Sequence, residues 1–198
     1  MQKSTKDPHI IEAVFKDQQG KPKETIHFRK VSKLGQGAFA TCWKCENTTT
    51  KTHVAIKIIQ KVTLNDTRHK AQLMTELKIH RGIKHQNICQ FDNYFDDEEN
   101  IYIVLELCPN KSLLELIEKR KKLHELEAQY YCLQIVSALQ YMQSHMIVHR
   151  DLKLGNLLLG HNLDIKVGDF GLSVQLNDKN HRPVDKCGTP NYMAPEQF

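Results

Sequence analysis

The spacing of apolar residues changes from strand-like to helix-like near Pro109, and no other feature of the sequence constrains the fold as strongly. Between Ile26 and Leu107, short apolar runs predict strands, which one helix interrupts at about residues 64–82. Beyond Pro109 the apolar residues follow helical spacing. The pattern therefore predicts an α+β fold of two lobes, a β-rich one over residues 26–107 and a helical one over residues 108–198.

Start and stop signals support the helices. In the interrupting helix, Leu73, Leu77 and His80 share one face, which we expect to be buried, and Gly82 follows as a stop. Ser112 and Glu115 have the spacing of a capping box, so a helix should begin there. A longer helix is predicted over residues 125–145, with an apolar stripe formed by Leu126, Tyr130, Leu133, Val136, Leu139 and Met142.

Two further segments are defined by their turn residues. Residues 157–159 and 163–167 flank the turn at Gly160 and predict a small hairpin. Residues 1–25 are polar and are punctuated by Gly20 and Pro22, so we interpret them as a lead-in of uncertain order.

Composition excludes several classes of protein. Hydrophobic residues make up 40% of the 198 residues and charged residues 26%, which is typical of a globular chain. No stretch approaches the ~20 consecutive apolar residues of a membrane span, and the polar start lacks the apolar run of a signal peptide. We therefore expect an intracellular protein with six free thiols, whose net charge of +5 would suit an anionic ligand.

A glycine-rich turn lies between the first strands of the β-rich lobe. Gly35 and Gly37 allow backbone N–H groups to approach a phosphate, but Ala40 stands where a dinucleotide-binding turn has its third glycine. β-Branched, aromatic and cysteine residues follow, so a strand-turn-strand flap is predicted. An ordinary hairpin explains the turn equally well when it is taken alone.

Lys57 lies in a strongly apolar strand. Alternation places Val54, Ile56 and Ile58 on one face and Lys57 on the other. An ammonium group in such a strand needs an anionic partner, for which Glu76 and a phosphate are candidates. A snorkelling lysine of an edge strand is the competing interpretation.

The segment from His149 to Asn156 concentrates polar side chains between the long helix and the hairpin, and Asp169-Phe170-Gly171 follows the hairpin. Asn156 and Asp169 offer the hard oxygen ligands that Mg²⁺ shares with substrate phosphates. That arrangement leaves Asp151 to act as a base.

These motifs together resemble the eukaryotic protein kinase domain from Phe28 to Phe198. The set consists of Gly35-x-Gly37, Val54-Ala55-Ile56-Lys57, Glu76, His149-Arg150-Asp151 with Asn156, Asp169-Phe170-Gly171 and Ala194-Pro195-Glu196. The resemblance implies a bilobal kinase-like fold with an antiparallel β-rich N-lobe and a partial helical C-lobe.

Further residues narrow the resemblance. Lys153 and Gly188-Thr189-Pro190 are similar to the serine/threonine branch of the family. Within that branch, Cys42, the run from Leu105 to Cys108, Leu154-Gly155 and the run from Cys187 to Tyr192 resemble polo-like kinases.

The resemblance implies a role for each motif residue. Lys57, held by Glu76, would contact the α- and β-phosphates of ATP, and Asn156 with Asp169 would bind Mg²⁺. Asp151 would accept the proton of the attacking hydroxyl, and Lys153 would steady the γ-phosphate. The rest of the implied nucleotide site consists of Leu34, Gly35, Gly37, Ala40, Cys42, Ala55, Leu158, the gatekeeper Leu105 and the hinge residues Glu106 and Cys108.

The resemblance also implies partners and a location. Protein substrates are expected, with no nucleic acid or membrane partner. The parent protein is expected in cytoplasm and nucleus, at centrosomes, spindle poles and kinetochores in mitosis.

The activation segment departs from the polo-like pattern. Polo-like kinases carry a phosphorylatable threonine where this chain has Asp185, and Arg150 is the expected partner of that phosphate. Asp185 would then order the segment without phosphorylation, with Thr189 lining the substrate pocket and touching Asp151. A solvated loop aspartate is the alternative.

The chain ends two residues after Glu196, where the helical lobe of the family continues. We therefore expect a truncated form with exposed apolar surface and poor stability alone. A catalytically weak or inactive nucleotide-binding or docking module remains the alternative function.

Two other patterns are interpreted as structural. Cys42 and Cys45 have redox-motif spacing but lie in a strand, where a spacing of three directs them to opposite faces. The basic run from Lys119 to Lys122 is interpreted as the solvated end of a helix rather than a nucleic-acid site.

Overall fold

The structure is a computed structural model that describes residues 7, 9–16, 22–37, 40–64, 66–178 and 187–195. The chain divides into two compact units. The first contains residues 1–66 and 91–107, and the second contains residues 67–90 and 108–198.

The first unit is a six-stranded antiparallel sheet. Its strands are β1 (Ile10–Lys16), β2 (Pro22–Gln36), β3 (Ala40–Asn47), β4 (His53–Gln60), β5 (Phe91–Asp96) and β6 (Asn100–Leu105). They lie in the order β1-β2-β3-β4-β6-β5, and a short 3₁₀ helix follows β4 at Lys61–Leu64.

One face of this sheet encloses an apolar core. Ile56 of β4 is completely buried and its cross-strand partner Val104 of β6 is nearly so. They pack in one cluster with Phe28, Cys45, Phe95 and Tyr102. Because side chains alternate along a strand, Ala55 and Lys57 face the other side of the sheet.

The lead-in interpretation of residues 1–25 is wrong for the part that forms β1. This strand pairs with β2 from Ile10↔Arg29 to Lys16↔Pro22, and its residues Ile11 and Ala13 are buried in the core of the sheet. The β-branched and aromatic residues Ile10, Ile11, Val14 and Phe15 were the signal for a strand, in a segment whose overall composition is polar.

The second unit combines three helices with short strands. The helices are α1 (Thr67–Arg81), α2 (Leu113–Arg120) and α3 (Glu125–Ser144). Strand β7 (Ile147–Val148) pairs with β10 (Val174–Gln175), and β8 (Leu157–Leu159) pairs with β9 (Ile165–Val167). Short 3₁₀ helices cover Leu154–Asn156 and Pro190–Tyr192.

Helix α1 groups with the second unit, whereas the sequence placed residues 67–90 with the first lobe. The reason is visible in its packing. Ile79, Ile83 and Ile88 join one core cluster with Leu159, Val167 and Phe170. Leu73, Leu77 and His80 are buried as predicted.

Five of the six residues in the apolar stripe of α3 do not pack inward. Leu126 and Leu133 are 67% and 71% exposed, whereas Tyr131, Ala138 and the sixth stripe residue, Met142, are buried. Part of the inward face is polar, because Oε1 of Gln134 accepts hydrogen bonds from Asn87 Nδ2 and Ile165 N at 2.9 and 2.7 Å. A hydrophobic pattern does not detect such a contact.

Several other expectations are confirmed. Ser112 caps α2 in a capping box with Glu115, and the cysteines are free. Burial raises the pKa of Cys45 to about 12, which keeps this thiol protonated and argues against a redox role. Within the described ranges, every helix is too short or too polar to span a membrane.

Candidate active site

The loop between β7 and β8 is anchored by a buried histidine. The Nε2 atom of His149 is 2.9 Å from the carbonyl oxygen of Gly168, and its Nδ1 accepts a hydrogen bond from the backbone N–H of Asp151 at 3.3 Å. Its ring meets that of Phe170 edge-on, with 5.0 Å between centroids. These contacts fix the neutral tautomer with its proton on Nε2 and hold the start of the loop.

Burial lowers the pKa of His149, and burial together with Lys166 lowers the pKa of His85. The unfolded chain therefore binds protons on these histidines more readily than the folded chain as pH falls below ~6.5. We expect the unfolding free energy to fall between pH 7.5 and 5.5, and to fall less steeply in His149→Gln. Urea unfolding at both pH values measures the slope, and an identical slope in the two proteins would contradict this role of His149.

Asp151 is the centre of a hydrogen-bond network. Its Oδ1 accepts from the Thr189 hydroxyl at 2.7 Å, and its Oδ2 lies 2.8 Å from Lys153 Nζ and 3.0 Å from Asn156 Nδ2. Lys153 Nζ also donates to the Thr189 hydroxyl at 2.9 Å. The structure therefore brings together four residues that the sequence selected.

The network sets the charge of Asp151. Burial alone would raise its pKa, but the hydrogen bonds from Lys153 and Thr189 outweigh burial and lower it. The carboxylate is thus ionised at neutral pH and positioned by three donors. An ionised, oriented carboxylate is suited to accept a proton from a hydroxyl group.

Asn156 and Asp169 lie at one end of the β8–β9 hairpin. The backbone N–H of Gly168 donates to the Asn156 carbonyl at 2.9 Å, directly beyond the last strand pair, and Asp169 follows. The Asn156 amide nitrogen donates to Asp151, so its side-chain oxygen is the atom that it can offer to a cation.

The donor set fits Mg²⁺ bound together with a phosphate. One amide and one carboxylate oxygen are hard ligands, and Mg²⁺ usually keeps water or substrate phosphate as its other ligands. Among the residues that the structure describes, no group of three or more His, Cys, Asp or Glu could hold a metal alone.

Helix α1 contacts the segment that contains Asp169. Gln72 Nε2 donates to the Gly171 carbonyl at 2.7 Å. A Cβ atom on Gly171 would lie 3.3 Å from Asp169 Oδ1 and 3.5 Å from Glu76 Oε2, so both carboxylates are near this glycine. His80 packs on Phe170 with 4.6 Å between ring centroids, in agreement with its interpretation as a packing residue.

Sequence reasoning missed Gln72 and Gly168. Gln72 lies one helical turn before Glu76, and that spacing is the signal which could have found it. Gly168 is closely packed, since a Cβ there would lie 3.1 Å from the Leu158 side chain, a contact that depends on the hairpin register.

The sheet of the first unit collects several nucleotide candidates on one face, whereas Cys108 and Leu158 belong to the second unit. Lys57 is paired with Cys42 of β3 and Ile103 of β6, and Ala55 is paired with Leu105. Gly35 is paired with Cys42, and the turn closes through a 2.8 Å hydrogen bond from Gly37 N to Ala40 O. Leu34 precedes the turn and is about half exposed. The register therefore brings Gly35, Cys42, Ala55, Lys57 and Leu105 together.

The regulatory candidates are only partly described. Arg150 has a left-handed backbone, and its Nε donates to the Leu172 carbonyl at 2.6 Å. Gly188 packs closely against the backbone of Arg150, because a Cβ atom on Gly188 would be 2.7 Å from the Arg150 carbonyl oxygen. Asp185 and Glu196 lie outside the described residues.

A cavity of about 660 Å³ opens beside Asp151. The end of α3 and the β7 strand supply apolar lining residues, among them Leu139, Met142 and Ile147, and Thr189 and Met193 line it as well. All of these residues belong to the second unit.

A glycine-rich strand turn, a lysine-bearing strand and a loop built on an ionised aspartate are motifs that protein kinase domains carry in this order. The protein kinase domain family matches residues 28–198, and the chain therefore belongs to the protein kinase family. The prediction of an α+β kinase fold is confirmed.

Individual relatives show which branch of the protein kinase family the chain resembles. The chain is 48% identical over 85% of its length to a probable serine/threonine-protein kinase CCRP1 of Zea mays, and 43% identical over 85% to the serine/threonine-protein kinase polo of Drosophila melanogaster. It is 42% identical over 82% to the cell cycle serine/threonine-protein kinase CDC5/MSD2 of Saccharomyces cerevisiae. The resemblance to polo-like serine/threonine kinases is confirmed. The chain spans 27%, 29% and 23% of the length of these relatives.

Proposed function

We propose that this chain transfers the γ-phosphate of ATP to serine and threonine hydroxyls of protein substrates. The observation that carries the proposal is the network in which Lys153, Asn156 and Thr189 hold the ionised carboxylate of Asp151. The relatives are serine/threonine kinases by name, which supports the same class of acceptor.

Asp151 accepts the proton of the attacking hydroxyl in this proposal. General base catalysis requires a carboxylate within hydrogen-bond reach of the acceptor hydroxyl, and the Asp151 carboxylate, which is ionised and oriented by its donors, would supply that group. Lys153 holds Asp151 from one side and offers a positive charge to the transferred phosphate. Thr189 joins the two side chains through its hydroxyl.

The remaining residues would hold Mg-ATP. Asn156 and Asp169 would supply oxygen ligands to the metal, which when bound neutralises charge on the phosphates. Lys57 of the first unit would bind phosphate oxygens, and the turn at Gly35 and Gly37 would offer backbone N–H groups. Glu76 of α1 is the proposed partner that orients Lys57. Binding to the adenine is assigned to apolar residues and to the hinge backbone: Leu34, Ala40, Cys42, Ala55, Leu105, Glu106, Cys108 and Leu158.

Four peptides that differ only in the acceptor residue test the proposal. We expect the purified chain with Mg-ATP to label the serine and threonine peptides, and to leave the tyrosine and alanine peptides unlabelled. Binding of Mg-ATP without labelling of any peptide would instead support an inactive nucleotide-binding module. Equal labelling of the tyrosine peptide would contradict the proposed acceptor class.

Asp185 is proposed to support the activation segment through its permanent charge. Arg150 uses Nε to hold the Leu172 carbonyl, and its terminal guanidinium nitrogens are suited to bind a carboxylate. We expect Asp185→Asn to lower kcat/KM by about two- to fivefold, the effect of a partly exposed ion pair. Asp178→Asn in the same segment is the matched control. Equal kcat/KM in wild type and Asp185→Asn would indicate a solvated loop aspartate.

A cell-cycle role is part of the proposal, because one relative carries this role in its name. We extend the proposal to a location at centrosomes, spindle poles and kinetochores in mitosis. Imaging of the tagged protein through mitosis tests it, and uniform distribution in dividing cells would contradict it.

A further inference from the structure

Strand β1 lies outside the part of the chain that matches the protein kinase family, which begins at residue 28. It is nevertheless a full member of the sheet, since it pairs with β2 over its whole length. Ile11 is 5% exposed and Ala13 is completely buried, whereas Glu12 between them is exposed. One face of β1 therefore belongs to the core of the first unit.

The side chains of β1 reach the opposite edge of the sheet. The ring of Phe15 meets Phe95 of β5 edge-on at 5.6 Å between centroids. Phe95 stacks on Tyr102 of β6 at 4.7 Å and faces Phe28 of β2 at 6.5 Å. This series of rings connects β1, one edge strand, to β5, the other edge strand, and to its neighbour β6.

The ring series ends beside the strand that carries Lys57. Tyr102 is the cross-strand partner of Ile58, and Ile103 is the partner of Lys57. Ile56 and Ile58 flank Lys57 in sequence. Ile56 belongs to the same apolar cluster as Ile11 and Ala13, and Ile58 packs against that cluster, as Phe15 does. The packing on one face of β4 thus fixes the strand whose other face presents Lys57.

We propose that β1 is a positioning element of the nucleotide site. Its buried side chains close the core of the sheet and hold β4 and β6 in the register that orients Lys57. This inference rests on the proposed function of Lys57 in binding ATP, and it assigns to residues 10–16 a part in that binding. Phe15 is the positioning residue with the clearest path to β6, because its ring contacts Phe95, which stacks on Tyr102.

Three variants of the 198-residue chain test the inference. Phe15→Ala removes the ring, Phe15→Leu restores most of the apolar volume, and Glu12→Ala alters the exposed face of β1. Each variant is compared with wild type at a temperature at which both proteins are folded. The measured quantities are the Kd of Mg-ATP, the KM values for ATP and for a serine peptide, and hydrogen exchange in β4 and β6.

We expect Phe15→Ala to raise the Kd and KM for Mg-ATP about threefold to tenfold, with faster exchange in β4 and β6. The KM for the peptide should not change, Phe15→Leu should recover the affinity to within about twofold, and Glu12→Ala should resemble wild type. The inference would be overturned if Phe15→Ala lowers the unfolding temperature but binds Mg-ATP as wild type does. It would also be overturned if Phe15→Ala raises the KM for ATP and the KM for the peptide together. If wild type itself does not bind Mg-ATP, the proposed function fails instead.

Discussion

Replacing Asp151 by asparagine is expected to lower the rate of phosphate transfer by about 10²- to 10⁴-fold, the contribution of a positioned general base. Asparagine has nearly the same shape and can still contact Lys153, Thr189 and Asn156, so the loop should keep its conformation. It cannot accept a proton at neutral pH. The loss should therefore appear in kcat, with little change in the unfolding temperature.

An exposed aspartate provides the matched control for this change. Asp92→Asn on strand β5 removes the same charge at an exposed position outside the proposed site, and it should leave kcat unchanged. Steady-state rates with a serine peptide and saturating Mg-ATP measure both variants. Retention of more than a tenth of the wild-type kcat in Asp151→Asn would contradict the role of this carboxylate.

Helix α3 gives the second large effect, in stability rather than activity. Ala138→Lys is expected to destabilise the chain by more than about 3 kcal/mol, because it places a charge and a long side chain at a completely buried position. Leu133→Lys is expected to change the unfolding free energy by less than about 0.5 kcal/mol, since Leu133 is 71% exposed and lysine is a good helix former.

The same pair of variants separates stability from solubility. Leu133→Lys interrupts an apolar surface that includes Leu126 and Val136, so it should lower the tendency of the isolated chain to aggregate. Urea unfolding and light scattering measure the two properties. Similar destabilisation by both substitutions would show that the stripe of α3 is buried after all.

Sequence reasoning reached the catalytic loop because its chemistry is carried by short motifs. Asp151, Lys153 and Asn156 lie within six residues, so local chain geometry alone keeps them close. The contact of Asp151 with Thr189 spans 38 positions in sequence, and only resemblance to a family could anticipate it. The Gln72 contact with Gly171 carries no motif and required the structure.

The fold was predicted well where burial follows a simple period. Strand β4 and helix α2 have clear alternation or capping signals, and both occur where expected. The apolar stripe of α3 does not mark its inward face, because Gln134 and Tyr131 contribute to that face while Leu126 and Leu133 remain exposed. Strand β1 was missed because its core contacts, among them Phe15 with Phe95, join residues 80 positions apart.

The most direct test of the central claim measures binding and transfer in the same two proteins. The claim is that Asp151 acts in the transfer step and does not hold the nucleotide. Isothermal titration with Mg-ATP and single-turnover transfer to a serine peptide are compared for wild type and Asp151→Asn. We predict that transfer falls by at least ~10²-fold while the Kd changes by less than about threefold. Transfer that survives the substitution, or a Kd that weakens as much as transfer does, would contradict the claim.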